Sequence, residues 1–169
     1  ANLLNNLGSL TQEQGQYPRA RELLDEAITL YRATGDRQGA AYALGNLAEL
    51  AHLQSDHQRA RELFSEALPL LEELGDRGAI AVALEGAAAV ASKQHQPRRA
   101  VRLFATAAAL RETIGAPLSA SEQESNDRGF AALRATLEDG AFAANWEAGR
   151  ALSLVDAIRL ARDEGPEAN

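Results

Sequence analysis

The sequence predicts an all-α fold in which helix-turn-helix units stack into a solenoid. Three observations carry this prediction: one segment recurs twice at a fixed offset along the chain, apolar residues follow the spacing of amphipathic helices, and a glycine ends each repeat. The composition agrees, because 36 of the 169 residues are alanine and only 5% are aromatic. A core of such small side chains requires closely spaced helices.

The internal repeat is the strongest signal in the chain. The segment RARELL at 19–24 returns 40 positions later as RARELF at 59–64 and, more loosely, after the same offset as RAVRLF at 99–104. Residues 4–37 and 44–77 are identical at 16 of 34 positions, and residues 44–77 and 84–117 are identical at 12. Matches at one fixed offset predict three structural repeats, at about 1–36, 37–76 and 77–118.

Each repeat is predicted to contain two helices. In the first repeat, one helix carries a face of Leu4, Leu7 and Leu10, and the second helix follows the i, i+3, i+4, i+7 apolar pattern from Ala20 to Leu30. Small residues recur at equivalent helix positions and allow the paired helices to approach closely: Gly8, Ala48 and Ala88, then Ala20, Ala60 and Ala100, then Ala27, Ala67 and Ala107.

Helix ends are marked by a few residue types. The glycines at 35, 75 and 115 suit the left-handed position that follows a helix, and Asp36, Asp56 and Asp76 suit the N-cap position of the next one. Pro69 lies inside a predicted helix, where we expect it to introduce a kink.

The regular repeat stops after Gly115. Helices are predicted from Ser119 to about Leu137, from Phe142 to Arg150, and from Ser153 onward. Because the last repeat of a solenoid needs a non-repeating cover, we expect residues 119–164 to form a helical C-terminal cap. The remaining residues, 165–169, are predicted to be a frayed tail.

The repeat resembles the tetratricopeptide repeat. Residues at that family's spacing are Leu4, Leu7, Gly8, Tyr17, Ala20, Leu24 and Ala27. The family's usual period is about 34 residues. The longer period of this chain implies longer helices or loops, and HEAT-type repeats with periods near 40 remain an alternative. The resemblance implies a right-handed superhelix whose concave surface is lined by the first helix of each repeat.

The stretch 99–161 resembles a second pattern, the end of large bacterial regulators. The segments that carry it are RAVRLF at 99–104, IGAPL at 114–118, residues 142–146 and GRALSL at 149–154. In those proteins a STAND-type signalling ATPase precedes tetratricopeptide repeats, with a LuxR-type or SARP-type DNA-binding domain attached in some. The resemblance implies that this chain is the C-terminal sensor part of such a protein and that nucleotide hydrolysis lies elsewhere.

Charge and hydropathy limit the partners. The formal net charge of −7 disfavours nucleic acid or an anionic membrane as the main partner, and no apolar run is long enough to span a bilayer. We therefore expect a cytoplasmic protein that does not bind nucleic acid directly.

Residues suited to catalysis are sparse. The chain has no cysteine, and because Lys93 is its only lysine it lacks a Gly-Lys-Ser/Thr phosphate loop. His52 and His57 are five positions apart, which does not suit a zinc pair on one helix face. We predict no enzymatic activity, no metal site and no cofactor.

The concave groove is the predicted partner site. Its candidate residues come from the first helix of each repeat: Asn5, Asn6, Ser9, Gln12 and Glu13, then Tyr42, Asn46, Glu49 and His52, then Glu85 and Lys93. Asn6 and Asn46 are equivalent in the repeat, and an asparagine amide can bond both the C=O and the N–H of an extended peptide. The alternative is that these asparagines only tie adjacent helices together.

The predicted function is that of a non-catalytic sensor or scaffold that binds a protein or peptide in this groove. Two alternatives remain open. One is a structural adaptor that self-associates into a homo-oligomer through the ends of the solenoid. The other is a receptor domain for a small molecule or a peptide pheromone.

Overall fold

The computed structural model describes residues 1–162, apart from the side chains of residues 121, 122 and 125. The predicted frayed tail at 165–169 lies outside these residues. The helices are α1 (Asn2–Glu13), α2 (Tyr17–Thr34), α3 (Arg37–Leu53), α4 (His57–Leu74), α5 (Arg77–Lys93), α6 (Pro97–Ile114), α7 (Ala120–Thr136), α8 (Asp139–Arg150) and α9 (Leu154–Arg162). The described part of the chain contains no strand, so the predicted all-α class is confirmed.

The chain divides into two compact units, which we call unit 1 (Ala1–Asp76) and unit 2 (from Arg77 onward). Unit 1 contains the antiparallel pairs α1–α2 and α3–α4, and α2 also packs against α3. Unit 2 contains the pair α5–α6, with α8 packed along α6. Helices α2, α4 and α6 begin and end at equivalent positions of the sequence repeat. The division into three repeats and a cap remains a prediction.

Small side chains occupy the close contacts between helices. The alanines at the recurring positions are completely buried: Ala20, Ala27, Ala48, Ala60, Ala67, Ala88, Ala100 and Ala107. Gly8 lies so close to Leu24 that an added Cβ would be 2.8 Å from the Leu24 Cγ atom. Close packing between helices therefore explains the alanine-rich composition, as the repeat pattern predicts.

The turns repeat their backbone conformation. The glycines at 35, 75 and 115 end α2, α4 and α6 with positive φ angles of 72°, 68° and 65°, as predicted. In the turn between the two helices of each pair, Gly15, Ser55 and His95 have φ angles of 74°, 62° and 61°. The same left-handed conformation thus recurs at the equivalent position of all three turns, although glycine occupies it only once.

Two aspartates cap helices in unit 1, as predicted. The Asp36 carboxylate accepts a hydrogen bond from the backbone N–H of Gly39, and Asp56 accepts one from the N–H of Arg59. Helix α4 continues through Pro69 to Leu74.

In unit 2, α8 packs closely along α6. An added Cβ at Gly149 would be 2.3 Å from the carbonyl oxygen of Arg102, and the Thr106 hydroxyl donates to the Gly149 carbonyl at 2.7 Å. Only glycine fits this approach, because the atoms that an added methyl group would meet first belong to the backbone.

Aromatic and arginine side chains hold the last three helices to α6. The Phe130 ring on α7 contacts Phe104 of α6 at 5.1 Å and Trp146 of α8 at 5.4 Å between centroids. Arg99 of α6 donates to the carbonyl oxygens of Leu160 and Ala161 at the end of α9. Residues from α7 to α9 therefore form one body with the α5–α6 pair.

Candidate functional site

The predicted groove residues fall into two groups. Nine lie on α1 and α3 of unit 1, and Glu85 and Lys93 lie on α5 of unit 2. In unit 1, residues spaced i, i+4, i+7 define one side of each helix, because residues at this spacing share a helix face. We call this surface the amide face, which consists of Asn5, Ser9 and Gln12 on α1 with Tyr42, Asn46 and Glu49 on α3.

A direct hydrogen bond joins the two helices at the centre of the amide face. The Asn46 side-chain N–H donates to the Asn5 side-chain oxygen at 3.0 Å, and both residues are partly buried. Asn6, the equivalent of Asn46 in the repeat, is exposed and stands outside this pair. Asn46 therefore ties α3 to α1 through Asn5, and Asn6 takes no part in this bond.

Gln12 and Glu49 form a second contact between the helices. The Gln12 side chain is hydrogen bonded to Glu49, while its own side-chain oxygen is buried and has no hydrogen-bond partner. Neighbouring atoms crowd the Glu49 carboxyl, although solvent reaches much of the residue. The pKa of Glu49 is raised, first by this partial desolvation and then by the negative charge of Glu13, while the Gln12 hydrogen bond acts in the opposite direction.

Tyr42 lies at the N-terminal end of the amide face on α3. Its hydroxyl donates to the Asp76 carboxylate and accepts from the Gln38 side-chain amide at 3.0 Å. The hydrogen bond to Asp76 is the main cause that raises the pKa of Tyr42. Since Tyr42 remains 38% exposed, it offers a fixed aromatic surface at this edge.

His52 lies at the other end of α3, where its ring contacts His57. The ring centroids are 5.2 Å apart with a tilt of 46°. Among the described residues, no group of three His, Asp or Glu side chains is arranged to hold a metal ion. The contact fits packing of the turn between α3 and α4.

In unit 2, Glu85 is engaged by an arginine. The Arg111 guanidinium donates to both carboxylate oxygens of Glu85, at 2.7 and 2.9 Å, and the two side chains are only 13% (Glu85) and 12% (Arg111) exposed. Lys93 is exposed at the end of α5. Of the two groove candidates on α5, Glu85 is therefore committed to an internal ion pair.

Sequence reasoning missed the partners Asp76 and Arg111. Arg111 could have been found, because the residues 80 and 40 positions earlier are Tyr31 and Leu71, which are buried. An arginine at a position that is apolar in the other repeats indicates a buried counter-charge. No comparable signal marked Asp76, which resembled an N-cap residue.

The helix pairs of unit 1 agree with the result of comparing the sequence with models of known protein families. Residues 1–73 match the family model of the tetratricopeptide repeat. The match covers α1 to α3 and all but the last residue of α4, and it supports a tetratricopeptide-repeat domain in this part of the chain. No curated protein and no solved structure gave a match.

Tetratricopeptide repeats commonly mediate binding between proteins, so the match supports a scaffold role. None of the described helices is long and apolar enough to cross a membrane.

Proposed function

We propose that the amide face of unit 1 binds an extended segment of a partner protein, without catalysis. The observation that carries this proposal is the Asn46–Asn5 hydrogen bond, which fixes two side-chain amides at the junction of the first helices of two tetratricopeptide repeats. Side chains fixed before binding lose little conformational freedom when a ligand arrives, which favours affinity.

The amide pair retains the capacity to bind a peptide backbone. An asparagine side chain has two N–H donors and an oxygen that accepts two hydrogen bonds. The bond between Asn46 and Asn5 uses one donor and one lone pair, so each side chain can still donate and accept. An extended peptide, which presents alternating C=O and N–H groups, is the matching ligand.

Gln12 adds an unmet acceptor to the same surface. Its buried side-chain oxygen has no partner, and leaving such a group unsatisfied costs about 1–3 kcal/mol. Because this oxygen is withdrawn from solvent, an N–H of a bound segment would reach it only after the Gln12 side chain turns outward. Glu13 and Glu49 make this end of the face acidic, which favours a segment that carries lysine or arginine.

Peptide selection tests the proposal without a known partner. A library of random peptides displayed on phage would be selected against the whole chain, and the recovered peptides synthesised and titrated by calorimetry. We expect Asn46→Ala and Asn5→Ala each to weaken binding, because either substitution removes the amide pair. The matched control is Asn126→Ala on α7 of unit 2.

Circular dichroism would establish that each variant remains helical. Recovered peptides whose affinity is the same for Asn46→Ala and for Asn126→Ala would refute the assignment of the amide face. A preference for basic residues in the recovered peptides would support the role of Glu13 and Glu49.

We also propose that the chain serves a larger cytoplasmic signalling protein, a bacterial STAND-type ATPase or transcriptional regulator. The support is the resemblance of residues 99–161 to the end of such proteins. Partner binding at unit 1 would then bias the parent between inactive and active states. The genomic coding sequence tests this idea, because a Gly-Lys-Ser/Thr loop encoded upstream in the same reading frame is expected, and an unrelated upstream sequence would argue against it.

A further inference from the structure

Helix α7 interrupts the order in which successive helices pack in unit 2. In unit 1, α2 is followed in the chain by α3, and these two helices pack against each other. In unit 2, the helix that lies along α6 is α8, and α7 is inserted between them in the chain. Helix α7 contacts α5, α6 and α8, each less extensively than α8 contacts α6. Unit 2 therefore carries a helix that the packing order of unit 1 does not require.

The inner face of α7 is formed by Phe130, Leu133 and Arg134, which lie at the spacing i, i+3, i+4. Leu133 is 1% exposed, and it is the one buried residue among the α7 side chains that the structure describes. The guanidinium carbon of Arg134 lies 4.5 Å from the centroid of the Phe142 ring on α8. About one turn of α7 thus makes these contacts with the rest of unit 2.

This turn of α7 covers an aromatic surface, which consists of Phe104 on α6 with Phe142 and Trp146 on α8. The rings of Phe142 and Trp146 are stacked, with centroids 6.2 Å apart and a tilt of 10°. The Phe130 ring stands edge-on between the two helices, because it meets both Phe104 and Trp146 at steep angles of 73° and 85°. Phe130 therefore plugs the space between α6 and α8.

Helices α8 and α9 are held to α6 by contacts in which α7 takes no part. The Asn145 side-chain oxygen on α8 accepts from the Arg102 Nε–H at 2.8 Å. The Arg150 guanidinium donates to both carboxylate oxygens of Glu112, at 2.9 and 2.7 Å. At the end of α9, two backbone carbonyls accept from Arg99. The body formed by α5, α6, α8 and α9 would keep these contacts if α7 moved away.

Both ends of α7 are joined to its neighbours by short irregular stretches, at 115–119 and 137–138. Helix α6 ends at the left-handed Gly115, and α8 begins after Glu138, whose backbone is extended. The Gln123 side chain donates to Asp127 within α7 itself. Helix α7 can therefore move without changing where α6 ends or where α8 begins.

We propose that α7 is a lid, which detaches as one cooperative unit while α5, α6, α8 and α9 stay folded, and which uncovers the aromatic surface when it opens. In the closed form, the occupant of this surface is α7 itself, through Phe130. The lid belongs to unit 2, so it can fail independently of the amide face of unit 1.

Hydrogen exchange of the whole chain, measured residue by residue with NMR at a series of urea concentrations, tests the proposal. We expect the central amides of α7 to share one opening free energy and to exchange at least about 100-fold faster than the central amides of α6 and α8. Their exchange should also depend less on urea, because opening of the lid exposes less surface than global unfolding does.

Phe130→Ala should speed the exchange of α7 by at least about tenfold and leave that of α6 and α8 unchanged, because it removes the plug between the two helices. The same variant should increase the quenching of Trp146 fluorescence by acrylamide. Arg128→Gln is the matched control on α7, since the Arg128 side chain is 71% exposed. It should change neither measurement.

Three results would overturn the proposal. The first is exchange of α7 with the same opening free energy as α6 and α8, which would mean that α7 opens only with the whole unit. The second is exchange that slows gradually from the ends of α7 to its centre, which is fraying and not a cooperative opening. The third is acceleration of α8 by Phe130→Ala to the same extent as α7.

Discussion

Arg111 and Glu85 form a bidentate ion pair that is almost withdrawn from solvent, with only 12% and 13% of the two side chains exposed. The equivalent positions of the second repeat hold Leu71 and Gly45, which carry no charge. The second repeat therefore lacks this ion pair. Replacing the pair by uncharged residues makes the two repeats more alike at these positions.

Arg111→Leu should strongly destabilise unit 2. The variant leaves the Glu85 carboxylate buried without its counter-charge, which costs about 3–5 kcal/mol. Glu85→Ala combined with Arg111→Leu should recover most of this loss, because it restores an uncharged contact like that of the second repeat. Urea unfolding followed by the fluorescence of Trp146, the chain's only tryptophan, measures both variants. Equal instability of the single and double variants would contradict the expectation.

Gly149→Ala should also destabilise unit 2. The added methyl group would lie 2.3 Å from a backbone oxygen of α6, and overpacking of this kind costs about 1–3 kcal/mol. Gly140→Ala is the control on the same helix, because nothing lies within 4 Å of its added Cβ. That variant should gain up to about 1 kcal/mol from helix propensity. The midpoint of urea unfolding, followed by Trp146 fluorescence, compares the two variants. If both substitutions shift this midpoint in the same direction, the α6–α8 contact is looser than described.

Asp56→Ala should lower the stability of unit 1 by about 0.5–2 kcal/mol, since it removes the N-cap bond to Arg59. The equivalent position before α2 holds Gln16, whose side chain makes no cap bond. Gln16→Ala is therefore the matched control, with little expected change. Thermal unfolding followed by circular dichroism compares the two, and a similar effect of both substitutions would argue against a capping role for Asp56.

The stability of unit 1 should depend on the protonation of Glu49. Its folded-state pKa is raised above the ordinary value of 4.5, so the folded protein holds the proton more tightly than the unfolded chain does. The resulting stabilisation is fully present below about pH 4.5 and is lost as the pH rises through the folded-state pKa. Glu49→Gln should flatten this part of the curve of unfolding free energy against pH.

Urea unfolding at a series of pH values, followed by circular dichroism, measures the slope. Glu13→Gln is the companion variant, because the charge of Glu13 contributes to the raised pKa. It should reduce the slope in part. A slope that neither substitution changes would mean that Glu49 titrates alike in the folded and unfolded states.

The helices could be predicted from the sequence because their signals are local. The fixed offset of the repeat and the glycines at 35, 75 and 115 determine where α2, α4 and α6 end, since each glycine supplies the left-handed residue that stops a helix. The burial of the recurring alanines followed from the same pattern.

The candidate site could be predicted only in part. The sequence placed Asn5 and Asn46 among the groove residues, but it related Asn46 to Asn6, because an alignment of repeats pairs equivalent positions and not contacting ones. The hydrogen bond instead joins residues 41 positions apart, since one step along a helix turns it by about 100° and Asn5, not Asn6, faces α3. The sequence also could not show that Leu7 and Leu10 are exposed, because their exposure depends on which helix lies beside α1.

The left-handed turn positions at 15, 55 and 95 have a consequence for protein engineering. Ser55 and His95 hold the conformation that Gly15 adopts at the equivalent place, and a residue with a side chain loses about 1 kcal/mol or more by adopting it. The fold has kept the shape of this turn while its residue changed. Each of the two later turns thus stores strain that Ser55→Gly or His95→Gly would relieve without altering a helix or a proposed binding face, a gain that the greater backbone entropy of glycine in the unfolded chain partly offsets.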